Sequence, residues 1–349
     1  MQENWQAFLE QETAKTKDKY IIDFNNSDIN LSETPLAAPL SGFAMLEVSG
    51  NDRHEFLHNQ FINDLNLIKT PAAQISAWCN SKGQLITNFI IINTGTAYLL
   101  IFKEDLKEFV KKRLLMFVMR SNVKINDISD SSPLVGMANC NASTSSIKNL
   151  PTSPGEINVF DNQIIICHPD KTDRHLITGN TEELIKKISK FKKSVPILSS
   201  ALWNILDILA GLPWVTSLSK EQYLPQMLNL DVLNGLSYQK GCYPGQEVIA
   251  RLHYRGEVKK RVGLIQSKQL LSIGEQLIIE SSNNKAGAII NSAMHPNGLC
   301  YALAVIVLDK SKEKLSNETI KELNNICEEC KKEDESVSQN LILTSYKLC

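Results

Sequence analysis

The sequence predicts a mixed α+β chain that ends in a small β-barrel. Three observations carry that reading. Strand-like runs interleave with two amphipathic helices up to about residue 130; a second, shorter set fills 131–199; and after Arg261 the chain breaks into short strand-like runs separated by Gly, Ser and Asn. With 349 residues and 43% hydrophobic content, there is chain enough for two or three cores.

Residues 2–17 read as a polar helical extension, set apart as 1–20. FAMLEVS (43–49) alternates as a strand, with Ala44, Leu46 and Val48 on one side. Gly50, Asn51 and Asp52 cap a helix whose Phe56, Leu57 and Phe61 form an apolar stripe ending near Leu65. AQISAW and QLITNFIII are strand-like runs joined by a hairpin-type connection over 79–83. A strand over 98–102 leads into the amphipathic helix KEDLKEFVKKRLLMF and a strand around 123–125. These elements, with 200–255, make the larger α+β core (21–130 and 200–255). The second unit (131–199) has strands at PLVGM and NVFDNQIIICH, the latter turning at Asp161 and Asn162. A strand over 174–178 and a helix from Glu182 follow. A helix over 199–209 stops at Gly211 and Pro213. The barrel (256–349) is read from VGLIQ, EQLIIES, AGAII, CYALAVIVL and NLILTSYKL, with the charged segment 309–338 as a solvated helical insertion. No internal repeat is visible.

A net charge of −1 gives no global field for nucleic acid or membrane. No apolar run approaches the roughly 18 residues of a spanning helix. The stretch MQENWQAFLEQETAK reads as neither a secretory signal nor a transit peptide. Eight scattered cysteines do not make a disulfide framework, so a reducing cytoplasm is the expected location.

The densest chemistry lies in SYQKGCYPGQEVIARLHYRG (237–256). Pro244 and Gly245 force a turn, and Gly245 allows close approach of the backbone to a ligand. Gln246 onward starts a helix, which places Cys242 just ahead of a helix N-terminus with Lys240 nearby. Both features favour a thiolate, more acidic than the roughly 8.5 of free cysteine. Two readings are open for Cys242, a functional thiol or a small buried hydrophobe. Glu247 and Arg251, at i and i+4, are either part of the site or an ordinary helix-surface ion pair.

KGCYPGQEVIAR resembles the signature of the YgfZ branch of the YgfZ/GcvT superfamily. The similarity extends to GNDRHEFLHNQFINDL (50–65), with its glutamine at Gln60, to the Asn-x-Lys-Gly hairpin in WCNSKGQLITNF (78–89), and to AGLPWVTSLSKEQYLPQMLNLDVL (210–233). The resemblance implies a three-part ring, two α+β units and a barrel around a funnel that holds tetrahydrofolate or a derivative. It assigns the aromatic pair that flanks the folate to Phe43 and Trp203, and adds Gln60, Tyr243, Gln246, Glu247 and Arg251 to the binding residues. The aromatic pair would add about 0.5–1.5 kcal/mol per contact by stacking; the alternative for both is core packing.

The branch is associated with folate-dependent assembly or repair of iron–sulfur clusters and, through cluster-dependent enzymes, with tRNA modification. Cys242 and Lys240 are then the functional pair, and the implied partners are folate and, transiently, iron–sulfur proteins or assembly factors. One cysteine cannot hold a cluster that wants four thiolates, so no permanently bound metal is expected. The related glycine-cleavage T-proteins carry an essential aspartate a few residues after the hairpin glycine. Here the residues after Gly83 are Gln84, Leu85, Ile86, Thr87 and Asn88, none of them an acid. Aminomethyl transfer of that type is therefore disfavoured. The alternative is a folate-dependent one-carbon transferase acting on protein or RNA.

Three lesser candidates remain. Cys327 and Cys330, with Cys349, form a lone CxxC, which is short of a four-ligand site. His54 and His58 sit at i and i+4 without the zinc pattern between them. RLHYRGEVKKR (251–261) is a basic stripe with Tyr254 interleaved. It is either an ordinary solvated face or a contact for a folate tail or a protein partner, with direct tRNA binding through Lys259, Lys260 and Arg261 less favoured.

Overall fold

A computed structural model describes residues 2–12, 15–17, 20–23, 29–68, 70–141, 147, 150–160, 163–170, 172–279, 285–308 and 315–316. It is a mixed α+β molecule of antiparallel sheets. A two-stranded ribbon, β1 (Lys15–Lys17) with β2 (Tyr20–Asp23), and an edge strand, β3 (Leu36–Pro39), precede the first large sheet. That sheet holds β4 (Phe43–Ser49), β5 (Ala72–Cys79), β6 (Leu85–Asn93), β7 (Tyr98–Lys103) and β8 (Lys124–Asp127), in the order β5-β6-β7-β4-β8. All nine residues of β6, LITNFIIIN, are buried, as expected of a strand covered on both faces. The Arg53–Gln60 helix contributes Phe56 and Leu57 to this core, and the Lys107–Val118 helix contributes Val110 and Leu114.

The second sheet runs β10-β11-β12-β9-β3, from β9 (Leu134–Ala138), β10 (Ile157–Phe160), β11 (Gln163–Cys167), β12 (Arg174–Gly179) and the early strand β3. β3 thus leaves the segment before the first sheet and completes the second. The Thr181–Phe191 helix covers one face, with Asn180 accepting from the Glu182 and Glu183 N–H groups as its N-cap. The N-terminal helix, Glu3–Gln11, packs on it. It is not the polar extension the sequence suggests, because Trp5, Phe8 and Leu9 are buried in the second core.

The C-terminal strands are β13 (Lys260–Ser267), β14 (Gln276–Ile279), β15 (Lys285–Met294), β16 (Cys300–Val307) and β17 (Leu315–Ser316), in the order β13-β16-β15-β14-β17. Among the described residues these strands form a sheet, and no ladder joins β13 to β17. β17 falls inside the charged insertion expected over 309–338. The rest of that insertion, the strand expected at NLILTSYKL, the turn at Asp161 and Asn162, and Cys327, Cys330 and Cys349 lie outside the described residues. The apolar Ser200–Leu209 helix, N-capped by Ser199, packs against β15, β16 and β3, and so joins the second and third sheets. No helix among the described residues is long and apolar enough to cross a membrane.

Candidate functional site

Two glycine turns meet at the KGCYPG segment. Gly245 caps the Gln246–Arg255 helix with φ +83°, and Gly83 closes the hairpin between β5 and β6 with φ +74°. A Cβ on Gly245 would stand 2.5 Å from the Gly83 Cα and 2.6 Å from the Asn80 carbonyl oxygen. The close approach expected of Gly245 is therefore made to the Asn-x-Lys-Gly hairpin rather than to a ligand. Asn80 shapes that hairpin, its Oδ1 accepting from the Lys82 and Gln84 N–H groups at 2.9 and 3.1 Å. Its Nδ2 donates to Glu221 Oε1 at 3.3 Å, and Glu221 pairs with Arg113.

Cys242 is exposed, whereas Cys79, Cys140, Cys167 and Cys300 are buried. Burial pushes the Cys140 and Cys167 thiols up to about 11 and raises Cys79 and Cys300 as well. Cys242 is thus the accessible thiol among the described residues. Lys240 does not stand free beside it. Its buried ammonium donates to the His58 and Phe61 carbonyls and, at 3.4 Å, to the Asn63 carbonyl. These oxygens lie at and just beyond the C-terminal end of the Arg53–Gln60 helix, where carbonyls lack intrahelical partners and the dipole favours a cation. Burial pushes Lys240 down to about 8 against the pull of Asp64.

Tyr243 is buried and its hydroxyl is raised by burial. Gln246 Nε2 donates to the Lys240 carbonyl at 3.4 Å. Gln60 ends the helix that Lys240 caps, with its Oε1 buried and without a partner. Lys240, Cys242, Tyr243, Gln246 and the helix ending in Gln60 are therefore brought together. Glu247 and Arg251 are exposed, and no ion pair joins them among the described residues. Arg261 is withdrawn from the basic stripe, since its Nη1 and Nη2 hold Asp231 at 2.6 and 2.8 Å.

The aromatic pair is placed differently. Trp203 is buried against β9, where a Cβ on Gly136 would come within 2.4 Å of its ring. It carries the Arg174 guanidinium 4.8 Å above it, and it is not among the residues that line the cavity beside Trp214. Phe43 instead meets Trp214 edge-on, with ring centres 4.9 Å apart. Trp214 lines a cavity of about 330 Å³, walled by Lys103 from the first sheet, Asn204 and Asp207 from the Ser200–Leu209 helix, and Asn291 from the third sheet.

The loop that carries Trp214 is clamped from three sides. Asn88 donates to the Pro213 carbonyl and accepts from the Val215 N–H, both at 2.9 Å. Asn291 accepts from the Trp214 N–H at 2.8 Å and donates to its carbonyl at 3.0 Å; the register shift between Ile289 and Asn291 is what turns that side chain. Asp207 accepts from the indole Nε1 at 2.8 Å and from Arg174 at 2.6 Å. Arg174 also holds Asp170; burial opposes ionisation of Asp170, but the charges of His168 and Arg174 keep it well below the usual carboxylate range.

Sequence reasoning missed Lys103, Asp207, Trp214 and Asn291. A carboxylate inside the apolar run SALWNILDIL was the legible signal for Asp207. No feature of the sequence joins the other three.

Curated proteins similar to this chain are named tRNA-modifying protein YgfZ. The one from Colwellia psychrerythraea is 28% identical over 277 residues, covering 77% of this chain and 85% of the relative. The one from Yersinia pestis is 25% identical over 283 residues, covering 79% and 86%. The one from Hamiltonella defensa is 28% identical over 284 residues, covering 79% and 84%. Among solved structures, glycine cleavage system aminomethyltransferase T from Bartonella henselae has a similar fold, with a TM-score of 0.67 at 12% identity over 83% of this chain and 84% of that one. No protein-family profile matches the chain.

Proposed function

We propose that this chain, a relative of the YgfZ proteins of the YgfZ/GcvT superfamily, is a cytoplasmic folate-binding accessory protein. It would support iron–sulfur cluster assembly or repair and, through cluster-dependent enzymes, tRNA modification. The observation that carries the folate part is the cavity beside Trp214. It is lined by the aromatic Trp214, with Lys103 and Asn204 as polar side chains not fixed to the Trp214 loop. In this reading the three sheets form the ring, and the third is the described part of the barrel. The thiol of Cys242, held by turns locked on each other, is the contact to a transient iron–sulfur partner.

Transfer of the T-protein type is disfavoured by Asn88. It lies among the positions where an acid is expected, and its amide is committed to Pro213 and Val215. Tetrahydrofolate titration by calorimetry tests the reading. Saturable binding weakened at least tenfold by Trp214→Ala, and little changed by Trp203→Phe, is the expected outcome. Absence of binding at millimolar folate overturns it. Cys242→Ala should keep the fold and folate binding yet fail to rescue a strain deleted for the gene; full rescue would end the functional reading of that thiol.

A further inference from the structure

Most polar groups around the Trp214 cavity are already committed. Asp207 holds Arg174 and the indole, and Asn291 holds the Trp214 backbone. Asp105, on the turn after β7, accepts from the Ser217 N–H at 2.7 Å, and Glu104 pairs with Lys107. Lys103 is different. Its ammonium donates to Asn204 Oδ1 at 3.2 Å and lies 3.8 Å from the centre of the Phe43 ring, yet it forms no ion pair among the described residues. The remaining walls supply Thr216, Asn291 and Ser292, which are neutral. Burial pushes Lys103 down to about 8, with Asp207 and Asp105 opposing the shift from a distance. An ammonium partly withdrawn from water with no ion-pair partner at contact distance is less stable than a free one, and an anion arriving in the cavity relieves that cost.

We propose that Lys103 is the ligand-recognising cation of this cavity, engaging an anionic oxygen that the ligand brings. Two sources share that chemistry, the glutamate carboxylate of a folate and a small free anion; only the first rests on the folate reading above.

An anion in contact with Lys103 raises the affinity of its nitrogen for a proton, so the ligand prefers the protonated form. Affinity is then level at pH 6–7 and falls as pH rises through about 8, by up to about tenfold per unit, and binding near that pH takes up roughly half a proton.

Calorimetry with tetrahydrofolate at pH 6.5, 8 and 9, in buffers of different ionisation enthalpy, reads both effects. Wild type should show proton uptake and weaker binding at pH 9. Lys103→Met should bind at least tenfold more weakly, without proton uptake. Lys103→Arg should bind well and lose the pH dependence, since a guanidinium does not titrate there. Unchanged affinity in Lys103→Met overturns the proposal. Proton uptake that persists with a tetrahydropterin lacking the glutamate tail overturns the carboxylate as the source.

Wild type that binds no tetrahydrofolate removes the folate reading and leaves Lys103 to the second arm. There the Lys103 titration is followed by NMR in protein labelled at lysine Cε, with inorganic phosphate added. A raised midpoint upholds the cation site, and an unmoved one overturns it.

Discussion

At the scale of single residues, the Cys242 turn shows how a buried charge can anchor backbone. Lys240 ties the turn to the carbonyls of His58, Phe61 and Asn63, so its ammonium fixes where Cys242 sits. Gly245 and Gly83 complete the arrangement: both turns are left-handed, a Cβ on Gly245 would collide with the Gly83 turn, and one on Gly83 would press on the Gly245 carbonyl. Gly245→Ala meets two obstacles at once, a positive φ and a Cβ inside van der Waals contact of Gly83 and Asn80. Left-handed backbone alone costs roughly 1–3 kcal/mol for a non-glycine residue. Thermal unfolding should show a loss of at least that size, with rescue by the variant lost even though Cys242 is intact. A variant as stable as wild type would mean that the two turns can part freely, and the rigid presentation of Cys242 would have to be abandoned.

At the scale of elements, the Ser200–Leu209 helix acts as the joint. One of its faces packs Trp203 on β9, and Asp207 links Arg174 of β12 to the Trp214 loop. Removing one partner of a buried ionic cluster is strongly destabilising because the other charge stays behind. Asp207→Ala leaves Arg174 with Asp170 alone and the indole without its acceptor, a loss expected near the lower end of the usual range, roughly 3 kcal/mol. Arg174→Met strands two buried carboxylates. The double variant should lose clearly less than the sum of the singles, and urea unfolding of all three measures it. Strict additivity would show that the cluster is not one unit. The individual elements were legible in the sequence because each carries its own period, from the alternation in FAMLEVS to the capped helix after Gly50. The joint was not. The bonds that seat the Trp214 loop come from Asn88, 125 residues before Pro213, and from Asn291, 77 residues after Trp214. Helical period likewise marks Trp203 as apolar without saying which sheet receives it; the space left by Gly136 decides that.

For the whole molecule, the buried groups set opposing demands on alkaline stability. Lys103 and Lys240 fall from 10.5 to about 8 in the fold, chiefly by burial. Above about 8 the unfolded chain keeps protons that these folded lysines give up, so their contribution makes stability rise with pH until about 10.5. Cys79, Cys140, Cys167 and Cys300 are shifted the other way by burial, from 9.0 upward. Their stabilisation is complete below 9.0 and is lost as pH climbs toward the folded values, because the unfolded thiols ionise first. Tyr98, Tyr223, Tyr238 and Tyr243, raised from 10.0 by burial, add to that loss at higher pH. The four thiols outweigh the two lysines once all of them titrate. Stability should therefore rise slightly above pH 8, pass through a maximum between about 8 and 9, and fall beyond it. Urea midpoints at pH 7, 8.5 and 10 and constant ionic strength test the order, with 8.5 expected at or above 7 and well above 10. Cys79→Ala, compared with itself across the same pH values, should show a shallower alkaline fall, since one of the four thiols is gone. A midpoint still rising at pH 10 would mean that these thiols are not protected by the cores that enclose them.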